Sequence, residues 1–174
     1  MKLGIMCSGE GTNFENIVHS CPDHEVVVMI HNKKECGAKR RAKYLEVPAI
    51  RIASKNEDLI VMTLKAMEVD LVVLAGWMKV LSPKFIESFP GRIINIHPSL
   101  LPKYKGLNVI KRAMEAGETV TGCTVHYVTE ELDSGAIIKQ QEVPILPDDS
   151  LESLTKSIQE AEHHLLPLVI NSAF

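Results

Sequence analysis

Short apolar runs alternate along this chain with stretches in which apolar residues recur every three or four positions. Lys2–Cys7, Glu25–Ile30, Ala49–Ala53, Asp70–Ala75 and Arg92–Ile96 have the length and the Val/Ile content of strands. Between them, Asn13–His19, Gly37–Leu45, Glu57–Val69 and Pro83–Ser88 follow helical spacing. The strands are too apolar for a sheet wetted on one face, which predicts parallel strands with helices on both faces. Right-handed βαβ units are the expected connections. The fold class expected is α/β, a doubly wound and mainly parallel sheet.

The rhythm then changes. Val109–Ala116 has a helical pattern that stops at Gly117, a suitable C-terminal cap. Thr121–Thr129 and Ala136–Pro144 are strand-like and joined by the polar turn 130–135, a hairpin-like extension of the sheet. A last helix is expected to begin at Ser150 as N-cap, with Leu151, Leu154, Ile158, Ala161 and Leu165 as its apolar stripe. No repeat, low-complexity segment or linker interrupts the chain, so one domain over residues 1–174 is expected.

Composition narrows the function by exclusion. A formal net charge of -3 leaves no electrostatic footprint for nucleic acid or an anionic membrane. No apolar run approaches the ~18 residues of a transmembrane helix. The opening Met1–Cys7 lacks the longer apolar core of a signal peptide, which makes the cytoplasm the expected location. Cys7, Cys21, Cys36 and Cys123 show no CxxC spacing, so neither a metal site nor a redox motif is expected. Cys7 and Cys123 sit in strand-like contexts and are expected to be small buried hydrophobes.

The chemistry concentrates in Asn95-Ile96-His97-Pro98-Ser99-Leu100-Leu101-Pro102, which follows the apolar Ile93-Ile94. It places an amide, an imidazole and a hydroxyl at the carboxyl end of a strand, where open α/β sheets bind ligands. Side chains alternate along a strand, so Asn95 and His97 share one face. An amide that donates to an oxyanion beside an imidazole that moves a proton suits attack of an amine on a carbonyl carbon. Leu132-Asp133-Ser134-Gly135 adds a carboxylate that could hold His97 in one tautomer and stabilise its protonated form. Taken singly, Asp133 is equally at home in a turn and His97 in a structural role.

Ser8-Gly9-Glu10-Gly11-Thr12-Asn13 lies between the first strand and the first helix. Glycines allow close ligand approach and a helix N-terminus offers free N–H groups, so the loop suits a phosphate monoester. A plain strand-to-helix turn is the bland alternative. A dinucleotide fits less well, because Phe14 stands where a third glycine belongs and His31-Asn32 replaces the acidic ribose ligand. The Gly-Lys-Ser/Thr of a P-loop is absent.

These segments, with Leu74-Ala75-Gly76-Trp77-Met78 and Gly122-Cys123-Thr124-Val125-His126, resemble the phosphoribosylglycinamide formyltransferases, folate-dependent enzymes of purine synthesis. The resemblance runs in order through nearly the whole chain. It implies a Rossmann-like formyltransferase fold and transfer of the formyl group of 10-formyltetrahydrofolate to the amine of glycinamide ribonucleotide. By the same resemblance, Asn95 would stabilise the tetrahedral oxyanion while His97 and Asp133 manage protons. Gly11, Thr12 and Asn13 would hold the phosphate, and Glu162 would contact the ribose hydroxyls. Met78, Lys79, Val80 and Leu81, with Thr129, Glu130, Glu131 and Leu132, would line the pterin site. Lys79 stands where many relatives have arginine, and the segment 54–58 is shorter than in many of them.

Other readings explain less. A nicotinamide oxidoreductase accounts only for the first strand, loop and helix, and a non-enzymatic ribonucleotide-binding module leaves Asn95 and His97 idle. Hydrolysis of formyltetrahydrofolate is the nearest alternative among folate enzymes. The expected partners are small molecules, with the chain a monomer or homodimer. His126 fits either the site or a structural role, and Trp77 and Met78 either the core or a pocket wall. Lys39-Arg40-Arg41 is expected to be a solvated helix face, with phosphate binding the sharper alternative.

Overall fold

The computed structural model describes residues 1–174. In chain order the elements are β1 (Lys2–Met6), α1 (Thr12–Ser20), β2 (Glu25–His31), α2 (Gly37–Tyr44), β3 (Ala49–Arg51), α3 (Glu57–Ala66) and β4 (Leu71–Leu74). There follow α4 (Pro83–Glu87), β5 (Ile93–His97), α5 (Val109–Glu115), β6 (Val120–Tyr127), β7 (Ile137–Pro144) and α6 (Leu151–Ala173). All strands join one sheet in the order β3-β2-β1-β4-β5-β6-β7. β1 to β5 are parallel, whereas β6 runs antiparallel to β5 and β7 antiparallel to β6. The expected doubly wound, mainly parallel sheet is what the chain forms, and the change of rhythm past residue 108 marks the antiparallel extension.

Alternation along the strands divides the core in two. Leu3, Ile5, Val73, Ile94 and Ile96 face one side, where α6 supplies Leu154, Ile158, Leu165 and Ile170 and α1 supplies Phe14 and Ile17. Met6, Val72, Leu74 and Ile93 face the other, against Ile60 and Leu64 of α3 and Phe85 of α4. A sheet covered on both faces leaves its loop ends free, and the strand order reverses between β1 and β4. That reversal splays the loops after β1 and β4 apart and opens a crevice at their carboxyl ends.

Three local expectations change. The strand expected over Ala49–Ala53 is the three-residue edge strand β3, which lacks a pairing partner on its outer side. The helix expected to reach Val69 stops at Ala66, because Glu68 turns into the left-handed region (φ 54) and leads the chain down to β4. In α6, Leu154, Ile158, Ala161 and Leu165 are buried as the stripe requires, but Leu151, in the first turn, is 46% exposed. The α6 start itself is a reciprocal cap: Ser153 N–H donates to Ser150 Oγ at 3.0 Å and Ser150 N–H to Ser153 Oγ at 2.9 Å. No helix is long and apolar enough to cross a membrane.

Candidate active site

A cleft of about 700 Å3 occupies the crevice where the strand order reverses, lined from the loop after β1, past the end of β5, to the loops after β4 and β6. Asn95, His97 and Asp133 meet at its centre, although 36 residues separate His97 from Asp133 in sequence. Antiparallel register sets Asn95 of β5 opposite His126 of β6. The Nδ1 of His126 lies 2.9 Å from the Tyr127 carbonyl, which can only accept, so that nitrogen carries the proton. Its bare Nε2 then accepts from the Asn95 amide at 3.2 Å. Burial pushes the His126 pKa down and keeps the ring a neutral acceptor. The amide nitrogen of Asn95 is thereby oriented with its second N–H free to donate. His126 is thus a member of the site.

For His97 the structure departs from the expectation that Asp133 holds its tautomer. The His97 Nε2 donates to the Tyr104 carbonyl at 2.8 Å, so a backbone group fixes the tautomer. Its Nδ1 is left without a proton and faces Asp133 Oδ2 at 3.6 Å, longer than a hydrogen bond but within ion-pair range. Asp133 is held from behind by the Gly106 N–H at 2.9 Å. One short loop therefore grips both side chains through its main chain. Arg112 of α5 stiffens that loop by donating to the Lys105 and Leu107 carbonyls at 2.6 and 3.2 Å. Ser99, in contrast, is fully buried and turns its hydroxyl onto the Lys103 carbonyl at 2.7 Å, closing the turn instead of facing the cleft.

At one end of the cleft the β1–α1 loop presents Gly11, Thr12 and Asn13. Asn13 donates to Glu162 of α6 at 3.1 Å, while its Oδ1 is buried without a donor. Burial pushes the Glu162 carboxyl up to about 7, against the lowering effect of the Asn13 hydrogen bond. Gly11 has φ +77, and a Cβ there would stand 2.6 Å from the Ala38 Cα of α2. Its lack of a side chain thus answers first to helix packing and backbone conformation, and only then to a ligand. A side chain at Gly9 would meet nothing within 4 Å. Gly11→Ala is expected to destabilise the protein by about 2–4 kcal/mol, from the left-handed backbone and the clash together. Gly9→Ala should stay within ~0.5 kcal/mol of the parent. Urea-denaturation midpoints of the two variants check the contrast.

The other end is apolar and open. Met78 (63% exposed), Val80 and Leu132 (49% exposed) present uncovered hydrophobic surface around the buried Leu81 and Trp77, whose indole N–H has no acceptor. Lys79, Thr129 and Glu131 also line this end. Glu130, expected with them, does not: it sits exposed at the tip of the turn, with its neighbours facing the cleft in its place. Such an open, half-apolar end fits a flat, partly apolar ligand. Burial pushes the Cys123 thiol up to about 12 and raises that of Cys7 as well, which disfavours the thiolate at both.

Known proteins share this architecture. Residues 1–170 match the formyl transferase family model. Phosphoribosylglycinamide formyltransferase of Haemophilus influenzae is 44% identical over 97% of this chain and 85% of its own length. The trifunctional purine biosynthetic protein adenosine-3 of Drosophila melanogaster is also 44% identical, over 95% of this chain but only 13% of that much longer protein. The crystal structure of phosphoribosylglycinamide formyltransferase from Anaplasma phagocytophilum superposes with a TM-score of 0.96 at 38% identity, covering 98% of this chain and 85% of that one. With the match running through both halves of the sheet and every loop of the cleft, the chain belongs to the formyl transferase family.

Proposed function

We propose that the protein transfers the formyl group of 10-formyltetrahydrofolate to the amine of glycinamide ribonucleotide, a step of purine synthesis. The observation that carries this reading is the continuity of the cleft. A loop suited to a phosphate, a donor and proton-relay centre, and an apolar end suited to a pterin follow one another along a single groove. The family matches support the same assignment.

Gly11, Thr12 and Asn13 hold the phosphate at the N-terminus of α1, and Glu162 accepts from the ribose hydroxyls. Met78, Val80, Leu81 and Leu132 enclose the pterin, with Thr129 and Glu131 at its polar edge. Lys79 offers a cation to the folate's glutamate tail. The amine then attacks the formyl carbon, and the carbonyl electron pair moves onto oxygen. The free N–H of Asn95 donates to that developing oxyanion. The attacking nitrogen loses a proton, His97 Nδ1 takes it up beside Asp133, and the departing folate nitrogen receives one as its bond to carbon breaks.

Mixing the purified protein with both substrates should yield tetrahydrofolate and formylated ribonucleotide in equal amounts. Tetrahydrofolate and formate produced without any ribonucleotide would overturn this reading in favour of hydrolysis. Ribonucleotide affinity should rise by up to about tenfold between about pH 6 and 8, because only the ionised Glu162 can accept two hydroxyl donors and its carboxyl titrates at about 7. The sign follows from the ligand: it prefers the carboxylate, so a higher pH helps it bind. In Glu162→Gln this component of the pH profile, followed by calorimetry, should vanish.

A further inference from the structure

Lys39 and Arg40 are exposed, as expected of a solvated helix face, but Arg41 is not. Arg41 reaches across from α2 to the β1–α1 loop, where its Nε donates to the Glu10 carbonyl at 2.8 Å and its Nη1 pairs with Glu15 of α1. One residue earlier in the loop, the Gly9 carbonyl accepts from the Ala38 N–H of α2 at 3.1 Å. Two consecutive loop carbonyls are thus pinned to the same helix. α2 comes this close because Gly37 has no side chain: a Cβ there would lie 2.6 Å from the Glu10 carbonyl oxygen.

A trans peptide is planar, with its C=O and N–H pointing in opposite directions. Holding the Gly9 and Glu10 carbonyls against α2 therefore turns the Glu10 and Gly11 N–H groups away from it, on the side where these residues line the cleft. Neither N–H donates to a main-chain carbonyl. Successive main-chain N–H groups turned to one side form a concave anion site, continuous here with the free N-terminus of α1.

We propose that Arg41 is a positioning residue for the substrate phosphate, holding the Glu10 peptide so that the loop's N–H groups face the anion. The guanidinium acts through the loop and does not touch the ligand. Its planar fork suits this task, because it spans a carbonyl and a carboxylate on two different elements, which a lysine ammonium cannot do in fixed geometry. This role rests on the assignment of the loop as the phosphate end of the cleft.

Calorimetric titration with glycinamide ribonucleotide and with its dephosphorylated nucleoside separates the effect on phosphate from any general damage. Arg41→Met should weaken ribonucleotide binding roughly tenfold, the scale of one hydrogen bond to a charged group, and leave nucleoside binding unchanged. Arg41→Lys should resemble Arg41→Met. Glu15→Gln, which leaves the loop contact in place but loosens the arginine, should show a smaller loss of the same phosphate-specific kind. Equal weakening of both ligands in Arg41→Met, or full recovery in Arg41→Lys, overturns the positioning role. Wild-type protein that binds ribonucleotide no better than nucleoside instead overturns the assignment of the loop to phosphate.

Discussion

Asn95→Ala is expected to lower kcat by roughly 100- to 1000-fold, the usual consequence of removing one oxyanion donor. The KM values for both substrates should change by less than about threefold, because the bond it makes strengthens only as charge develops on the formyl oxygen. The isosteric Asn95→Asp tests the reasoning more severely. It preserves volume and strand packing, but replaces a donor with an acceptor that faces both the developing oxyanion and the bare Nε2 of His126. Its kcat should be no better than that of Asn95→Ala. Near-normal turnover in Asn95→Asp, in steady-state assays with both substrates saturating, would remove Asn95 from the chemistry.

His97→Ala should lower kcat by about 100- to 10000-fold, the range for losing a general acid–base group. Asp133→Asn should fall within the same range for a different reason. The amide oxygen can still accept the Gly106 N–H, so the loop keeps its course while the charge facing Nδ1 is lost. Because Asp133 acts only by stabilising the proton that His97 holds, the double variant should be little worse than His97→Ala alone. Losses that multiply would mean that the carboxylate and the imidazole serve separate steps.

The central strand β5 was legible because Ile94 and Ile96 are buried on one face and leave Asn95 and His97 together on the other, in line with Ile93. The glycine loop at one end of the cleft was legible for a similar reason, as two glycines and a helix start fall in one short segment. His126 stayed ambiguous because its link to Asn95 is a cross-strand register, set by pairing between residues 31 apart. The fixing of the His97 tautomer could not be read at all, since the Tyr104 carbonyl is a main-chain group without a residue signature. The family resemblance implies Glu130 for the cleft wall, but in an irregular turn neighbouring side chains diverge and Glu130 is exposed outside the lining. The pinning of the glycine loop by α2 depends on packing between two elements, so Arg41 looked like any other residue in a basic run.

His97 and Asp133 are both anchored to peptide groups of the loop around Tyr104–Gly106. Both anchors are main-chain groups, yet their aim depends on a backbone that enters the left-handed region at Tyr104 (φ 56) and Gly106 (φ 84). The pair is therefore insulated from side-chain changes that keep those angles and exposed to changes of loop length. A single inserted or deleted residue would move both anchors in the same step. The glycine at 106 and the number of residues in the loop, more than its other side chains, keep the pair in place.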